Sequence, residues 1–206
     1  MPGSLTISAL PSAYNYPMKP HSTIHAEPRW RPGNMIRRQL PDALHDWLLA
    51  ESSLTRRLQM VCRGQFRVEL ISLGWERPLP DEAQALGVAP RQGALIRQVR
   101  LWCDNQPWVF ARTVIPFSSL RGAQRRLAYL GSRPLGAFLF ADPALQRSPL
   151  QVARVAPNSR VLSACTLANA TLWGRRSIFR LRGHPLLVSE FFLPDIPPFH
   201  SRNSHE

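Results

Sequence analysis

Two apolar segments near the C-terminus are separated by a tight turn, and this pattern constrains the fold more than any other feature of the chain. The segment LWGRRSIFRLR covers residues 172–182, and the segment PLLVSEFFLP covers residues 185–194. The Gly-His dipeptide between them is a turn signal, so the two segments are predicted to pair as a β-hairpin. The tripeptide DNQ joins residues 94–103 to residues 107–116 in the same way. Strands joined so closely run antiparallel.

The remaining segments follow from periodicity and from turn residues. Helices are predicted over 41–64, with a possible break at ESS and a cap at Ser52 or Ser53, over 119–131 and over 134–140; strands over 65–75 and 150–156; and a connection over 78–93. Most helices fall in two blocks, and the strands follow one another through short turns. This order predicts an α+β fold, in which helices pack on an antiparallel sheet.

The length of 206 residues corresponds to one domain with tails. Residues 1–34 are rich in Pro, Ser and His, and we predict a disordered or loosely docked N-terminal tail there. The domain is predicted to span 35–199, and 200–206 to form a C-terminal tail. The sequence contains no apolar signal-peptide core and no apolar run long enough to span a bilayer. We therefore expect a cytoplasmic protein without membrane insertion. We also expect a monomer.

The formal net charge of +13 suggests a nucleic-acid partner at first sight. However, Lys19 is the only lysine among the 26 basic residues, and the arginines are spread along the chain without a run of five or six. This distribution argues against a nucleic-acid interface. A generally basic surface instead favours encounter with a small anionic substrate.

The three cysteines, Cys62, Cys103 and Cys165, are scattered and contain no CxxC pair. Their spacing predicts neither a disulfide framework nor a zinc site, and we interpret each as a small buried hydrophobic residue.

Glu190 stands out because it lies inside the apolar strand predicted at 185–194. Side chains alternate across a strand, so Glu190 shares a face with Val188 and Phe192, while the opposite face carries Phe191 and Leu193. Both faces are apolar. A carboxylate in such a position needs an ion pair, hydrogen bonds or a proton, and the alternative is an edge strand with Glu190 in water.

The same parity test places an arginine among apolar residues in two other strands. Arg97 shares a face with Val99 and Leu101, and Arg112 shares a face with Phe110 and Val114. Two arginines and one carboxylate leave one positive charge uncompensated. We therefore predict a buried pocket for a small anion, which the planar guanidinium grips with two hydrogen bonds. The alternative is an Arg–Glu–Arg triad without a ligand.

The sequence contains no Ser-His-Asp arrangement, no P-loop, no GxGxxG and no HExxH. The residues therefore predict a buried pocket for a small anion that carries one carboxylic acid, with no metal or cofactor motif. The tripeptide GRR at 174–176 is interpreted as a solvated strand end, with the rim of the pocket as the alternative.

Several of these segments together resemble the chorismate–pyruvate lyase family. They are DWLLAESSLTRRL (46–58), QPWVFARTVIP (106–116), LGSRPLGAFLF (130–140) and LWGRRSIFRLRGHPLLVSEFFLP (172–194), in the family's order. The resemblance implies about six antiparallel strands under helices that cover an enclosed site. It also implies cofactor-independent conversion of chorismate to 4-hydroxybenzoate and pyruvate, the first step of ubiquinone biosynthesis, with a product that leaves slowly.

The resemblance also assigns residues. Arg97 matches the arginine that holds the ring carboxylate, Leu54 and Leu135 match the residues whose backbone N–H groups reach that carboxylate, and Glu190 matches the glutamate that faces the oxygen at ring C4. Ala111 stands where the family has glycine, and its methyl group is expected to narrow the pocket and to slow the reaction or product release.

Our mechanistic hypothesis is that Arg97 and Glu190 are catalytic and that Arg112 holds the second carboxylate. In it, Glu190 stays protonated in an apolar site and donates to the departing ether oxygen. The rival hypothesis is a non-catalytic sensor, since effector-binding domains of bacterial transcription regulators resemble this fold. Those domains follow a helix-turn-helix, and residues 1–40 are too short and too rich in Pro to form one.

Overall fold

The structure of the protein is a computed structural model that describes residues 27–199, without the side chain of Ala123. Most of the predicted N-terminal tail, residues 1–26, and the predicted C-terminal tail, residues 200–206, lie outside the described residues. Within these limits, no helix is long and apolar enough to cross a membrane.

Eight strands of the described chain form one sheet in which all pairs are antiparallel. The strands are β1 (Arg31–Pro32), β2 (Phe66–Glu76), β3 (Ala94–Cys103), β4 (Gln106–Pro116), β5 (Leu145–Arg147), β6 (Gln151–Val155), β7 (Leu172–Leu181) and β8 (His184–Phe192). Their order is β1-β6-β7-β8-β4-β3-β2, and β5 pairs with β7. The predicted α+β class with an antiparallel sheet is confirmed. The two strands beyond the expected six, β1 and β5, have two and three residues and are too short to show periodicity.

The helices are short and lie between the strands in sequence. The α-helices are α1 (Asp42–Leu49), α2 (Leu54–Val61), α3 (Pro80–Leu86) and α4 (Leu135–Leu139), and 3-10 helices cover Gly33–Met35, Arg37–Gln39, Phe117–Ser119, Gly122–Tyr129 and Arg160–Leu162. The predicted break within 41–64 is confirmed, and the Ser53 side chain accepts the N–H of Arg56 at the start of α2. The helix predicted over 119–131 is a 3-10 helix instead.

Helix α3 lies in the segment that the sequence analysis interpreted as a connection. Its signals are nevertheless present: Pro80 occupies the first helical position, the Glu82 side chain accepts the N–H of Leu79, and Gly87 ends the helix with φ +67°. The helix has only seven residues. Because the helix is so short, the turn residues on both sides of it led the sequence analysis to predict a connection over 78–93.

The central strands β3, β4, β7 and β8 are apolar on both faces because both faces are covered. Helices α1, α2 and α4 cover what we call the front face, where they pack against residues such as Val99, Val109 and Val188. Helix α3 and the 3-10 helix Arg160–Leu162 cover the back face, which holds Phe110, Phe191 and Val114. The cavity described below lies on the front face.

The predicted hairpins are confirmed, with one shift. β3 and β4 join through a turn in which the Asp104 carboxylate accepts the N–H of Gln65 at 2.7 Å. The turn between β7 and β8 lies at Arg182-Gly183, one residue before the predicted Gly183-His184. Both residues have positive φ, 50° and 83°, as type I′ hairpin turns require.

Residues 27–34 belong to the domain and not to the tail to which the sequence analysis assigned them. The Trp30 ring lies 6.2 Å from the Phe191 ring, and Arg160 forms an ion pair with Glu27 at 2.6 Å. Strand β1 pairs with β6. The segment is attached by one aromatic side chain, one ion pair and a two-residue strand. So few contacts leave no periodic pattern in the sequence.

The prediction for the cysteines is wrong in two of three cases. Cys62, at the C-terminal cap of α2, and Cys103, at the end of β3, form a disulfide with a Cα–Cα distance of 5.6 Å. The register of β2 and β3 places Phe66 opposite Cys103 and so returns the chain near Cys62. Sequence spacing could not reveal this proximity. Cys165 is buried as expected, and burial raises the pKa of its thiol.

We expect replacement of Cys62 and Cys103 by serine to lower the free energy of unfolding by roughly 3–4 kcal/mol, because the disulfide closes a loop over a sequence separation of 41. Urea denaturation without reductant measures this difference. With dithiothreitol, the wild type should fall to the value of the double variant. Cys165→Ser should keep the response to reductant, and a wild type that does not respond would contradict the prediction.

Candidate functional site

A cavity that is partly open to solvent lies between the two apolar clusters of the front face. Its floor is the sheet, and its walls come from the start of α2, from α4 and from β5. Most of the lining is apolar, which excludes water from polar groups placed there and strengthens their interactions. It is lined by Ser52, Ser53, Leu54, Thr55, Val68, Arg97, Val99, Leu101, Ala111, Thr113, Pro134, Leu135, Gly136, Leu139, Phe140, Arg147, Arg175, Phe179, Val188 and Glu190.

Among the described residues, four ionisable side chains line the cavity: Arg97, Arg147, Arg175 and Glu190. Three guanidinium groups and one carboxylate sum to a charge of +2 when all are ionised. An apolar cavity with this surplus favours a ligand that carries two negative charges, because a dianion compensates it.

Arg97 extends from β3 into the cavity and is 2% exposed. Its Nε and Nη2 donate to the carbonyl of Gly131, and Nη2 also donates to the carbonyl of Arg133. Burial lowers the pKa of Arg97 to about 10, so the side chain stays charged at neutral pH. No carboxylate of residues 27–199 lies within ion-pair distance of it. Only Nη1 lacks a protein partner there, so Arg97 offers a ligand one nitrogen and not the expected two-bond grip.

Glu190 and Arg175 form a partly buried ion pair on the cavity floor. The two residues face each other directly across β7 and β8, and Arg175 Nε donates to Glu190 Oε2 at 2.6 Å. Arg175 is 1% exposed, and the Glu190 side chain is 17% exposed. The other carboxylate oxygen, Oε1, has no protein partner in the described chain and is free to contact a ligand.

Arg175 also fixes the end of α1. Its Nη1 donates to the carbonyls of Trp47 and Ala50, at 2.6 and 2.8 Å, and these carbonyls have no partner inside the helix. One guanidinium therefore connects a helix end to the carboxylate of the site. This arrangement restricts where Glu190 can lie.

Arg147 reaches the cavity from β5. Its Nε donates to Ser177 Oγ at 3.1 Å, Nη1 donates to the carbonyl of Glu51, and the guanidinium lies 5.0 Å from the centre of the Phe179 ring. Burial, and secondarily the charge of Arg175, lower the pKa of Arg147 to about 10.

Two backbone N–H groups complete the polar lining. Leu54 and Leu135 are the first residues of α2 and α4, where the N–H groups have no partner inside the helix. Neither N–H has a hydrogen-bond partner among the described residues. Ala111 lies on the floor, directly opposite Glu190 and Val99 in the sheet.

The structure thus brings together five of the six residues predicted for the site, namely Arg97, Leu54, Leu135, Glu190 and Ala111. Arg112 is the exception, and its predicted placement is corrected. It points to the back face, where Nε and Nη2 donate to Glu82 at 2.8 and 3.1 Å. Arg112 does share a face with Phe110 and Val114, but parity within one strand does not show which side of the sheet that face occupies.

The surroundings of Glu190 also differ from the expectation. The sequence predicted a protonated acid in an apolar site, whereas Glu190 has a guanidinium partner. A carboxylate paired in this way accepts hydrogen bonds and does not donate them. The resting pair therefore does not supply the acid that the sequence hypothesis required.

Sequence reasoning missed Arg147 and gave Arg175 only as part of an alternative. The tripeptide GRR was interpreted as a solvated strand end, with the rim of the pocket as the alternative, and the structure places Arg175 in the site. Arg176 lies on the back face, where it pairs with Asp81 at 2.7 Å. The available signal was the register of the last hairpin, which sets Arg175 opposite Glu190. For Arg147 no signal existed, because β5 has three residues.

Comparison with known proteins gives consistent results. The family model for chorismate lyase matches residues 26–204. The probable chorismate pyruvate-lyase of Marinobacter nauticus is 45% identical over 148 residues, which cover 72% of this chain and 74% of that protein. The probable chorismate pyruvate-lyase of Hydrogenovibrio crunogenus is 38% identical over 179 residues, 86% of this chain and 96% of that protein.

Solved structures share the fold at low sequence identity. PhnF from Mycobacterium smegmatis has a TM-score of 0.52 at 13% identity and covers 71% of this chain and 66% of that chain. A GntR-family transcriptional regulator from Bacillus cereus has a TM-score of 0.50 at 12% identity, with coverage of 67% and 98%. At these identities the likeness concerns the fold alone.

Proposed function

The chain belongs to the chorismate lyase family, and on that premise we propose that it eliminates pyruvate from chorismate to give 4-hydroxybenzoate. The observation that carries this proposal is the cavity charge. Its three arginines and one glutamate sum to +2, and chorismate carries two carboxylates, one on the ring and one on the enolpyruvyl ether. Binding of this substrate neutralises the cavity.

The proposed reaction breaks two bonds of the substrate. The C4 hydrogen leaves as a proton, and its electron pair completes the aromatic ring as the ether bond at C3 breaks. The ether oxygen departs with the electron pair of that bond as enolpyruvate, which gains a proton on carbon to become pyruvate. Aromatisation supplies the driving force, so the protein needs only to position the substrate and stabilise charge.

Arg97 and the N–H groups of Leu54 and Leu135 are proposed to hold the ring carboxylate. Arg97 contributes Nη1, and its other nitrogens are held by the carbonyls of Gly131 and Arg133. The guanidinium is thus fixed before the ligand arrives, which reduces the entropy lost on binding.

Glu190 is proposed to accept the C4 proton and to return it to enolpyruvate. Its Oε1 lacks a protein partner, while Arg175 holds Oε2 at 2.6 Å. A carboxylate oriented in this way is a competent general base. Glu190 thus acts as a general base in this proposal, in place of the general acid predicted from the sequence. The adjacent guanidinium of Arg175 would stabilise negative charge on the departing oxygen.

The sensor hypothesis is not favoured. The relatives that reach 38–45% identity bear the name of a lyase, whereas the regulators resemble this chain in fold alone. In the lyase proposal the chain acts in the cytoplasm, and its product enters ubiquinone synthesis. Rescue of a 4-hydroxybenzoate-requiring bacterial strain would test that placement.

The direct test mixes purified protein with chorismate in the presence of EDTA, under single-turnover and steady-state conditions. Pyruvate and 4-hydroxybenzoate should appear in equal amounts, above the uncatalysed background. Saturable binding of 4-hydroxybenzoate without pyruvate would overturn the lyase in favour of a sensor. Turnover that EDTA abolishes would overturn the expectation that no metal is needed.

We expect Ala111→Gly to raise the steady-state turnover rate by roughly two- to fivefold, since a methyl-sized contact contributes about 0.8 kcal/mol and its loss widens the floor under the ligand. The variant should also lose about 0.5–1 kcal/mol of stability, because glycine weakens a strand interior. Ala153→Gly, which removes a methyl group buried on the back face, should reproduce the loss of stability and leave turnover unchanged. Slower turnover in Ala111→Gly would contradict the prediction.

A further inference from the structure

We propose that Arg147 binds the carboxylate of the enolpyruvyl ether and so allows the site to distinguish chorismate from 4-hydroxybenzoate, an inference that rests on the proposed function. The sequence analysis assigned the second carboxylate to Arg112, which points to the back face. The cavity must therefore supply another partner.

The hydrogen bonds of Arg147 fix its guanidinium and leave one end of it available. Nε is held by Ser177 Oγ and Nη1 by the carbonyl of Glu51, while the Phe179 ring supports the group at 5.0 Å. Nη2 has no protein partner within residues 27–199. A fixed guanidinium with two unpaired N–H bonds is suited to bind a carboxylate at little entropic cost.

Arg147 also lies on the correct side of the cavity. Arg97 extends from β3 and Arg147 from β5, and β4, β8 and β7 lie between these strands. At a strand spacing of about 4.8 Å, the two arginines reach the cavity from opposite sides. Two separated cationic groups match a ligand with two separate carboxylates better than a ligand with one.

The electrostatics of this side of the cavity support the same conclusion. Arg147 and Arg175 both line it, with Glu190 as the one carboxylate beside them among the described lining residues. Burial and the charge of Arg175 lower the pKa of Arg147, and the charges of Glu190 and of Glu51, which lies outside the lining, oppose this lowering. Among the lining residues one positive charge is uncompensated on this side, and an anionic group bound between the two arginines would compensate it.

Arg175 is less suited to this role because its hydrogen bonds serve the protein. It donates to Glu190 and to two carbonyls at the end of α1. Its removal would disturb α1 and Glu190 together. Arg147 can be replaced without breaking an ion pair, since none of residues 27–199 forms one with it.

The test compares Arg147→Gln with the wild type for two ligands. One hydrogen bond to a charged group contributes about 1.5–3 kcal/mol, so KM for chorismate should rise roughly 10- to 100-fold, with kcat changed far less. The dissociation constant of 4-hydroxybenzoate, which lacks the second carboxylate, should stay within about twofold. Arg147→Lys should recover part of the loss because it keeps the charge.

Two further variants separate this role from general effects. Arg154→Gln removes the same charge from an exposed position on β6. It should change neither the KM for chorismate nor the dissociation constant of 4-hydroxybenzoate, and it therefore controls for the long-range attraction of anions by the positive charge of the protein. Arg97→Met should weaken the binding of chorismate and of 4-hydroxybenzoate alike. If Arg147→Gln weakens the binding of both ligands equally, or changes the binding of neither, the proposal is overturned.

A non-reactive dianion keeps the test independent of turnover. 3-(Carboxymethoxy)-4-hydroxybenzoate has both carboxylates but is already aromatic. If the wild type forms no pyruvate, the lyase proposal fails. Calorimetry would then compare the affinities of Arg147→Gln and the wild type for this dianion and for 4-hydroxybenzoate. If the variant loses affinity for the dianion but not for 4-hydroxybenzoate, Arg147 is still supported as the site of the second carboxylate. If it loses affinity for both ligands equally, that assignment is overturned too.

Discussion

Glu190→Gln is expected to lower the single-turnover rate of pyruvate formation by roughly 10²–10⁴-fold, the range that a positioned general base contributes. Glutamine has nearly the shape of glutamate but cannot accept the C4 proton. The loss should appear in the chemical step, so it should be present at saturating chorismate. Chorismate deuterated at C4 should react more slowly with the wild type in the same single-turnover assay.

The Glu190→Gln variant should remain folded, which makes the result interpretable. The glutamine carbonyl can still accept the N–H of Arg175, and Arg175 keeps its bonds to Trp47 and Ala50. Glu69→Gln is a matched control, because Glu69 lies on the edge strand β2, where it pairs with Arg100 and does not line the cavity. A single-turnover rate in Glu190→Gln equal to that of the wild type would exclude the proposed role.

Arg175→Met is expected to lower the free energy of unfolding by about 3 kcal/mol and to abolish most of the activity. Removal of one member of a buried ion pair typically costs about 3–5 kcal/mol, and we expect the lower end because Glu190 keeps 17% exposure. The carbonyls of Trp47 and Ala50 also lose their donor. The catalytic loss follows because Glu190 is no longer oriented.

A double-mutant cycle separates the two consequences. Arg175→Met with Glu190→Gln should be more stable than Arg175→Met alone, since the double variant leaves no unpaired carboxylate in the site. It should remain as inactive as Glu190→Gln. Urea denaturation gives the free energies of unfolding. As a control, Arg180→Met changes an exposed residue on the same strand, and its free energy of unfolding should stay within about 0.5 kcal/mol of that of the wild type. An Arg175→Met variant as stable as the wild type would refute the structural role.

Local patterns in the sequence were sufficient for the class of fold and for part of the candidate site. Turn residues between apolar segments identified the hairpins, because a two-residue turn allows only antiparallel pairing. Period-two alternation also placed Arg97 and Glu190 inside the sheet, since each lies on a strand whose neighbours on the same face are apolar. The strand residues are adjacent in the chain, so short windows contain the information.

The site residues that the sequence misplaced or missed all depend on contacts between different strands or elements of the fold. Arg112 satisfied the same alternation as Arg97, yet the β3–β4 register pairs Arg97 with Thr113 and thereby turns Arg112 to the back face, toward Glu82. A face that is apolar on one strand can belong to either side of a sheet covered on both sides. Only the pairing with neighbouring strands decides which.

By itself, the sequence determined an antiparallel α+β fold and the strands that carry Arg97 and Glu190, because alternation and turn chemistry are local properties of the chain. The tertiary structure alone decided that Arg175 meets Glu190, that Arg147 enters the cavity from a three-residue strand, and that Cys62 meets Cys103. These contacts depend on strand register and on how helices close over the sheet. Burial of apolar surface across the whole domain selects that arrangement, and no short segment of the chain encodes it.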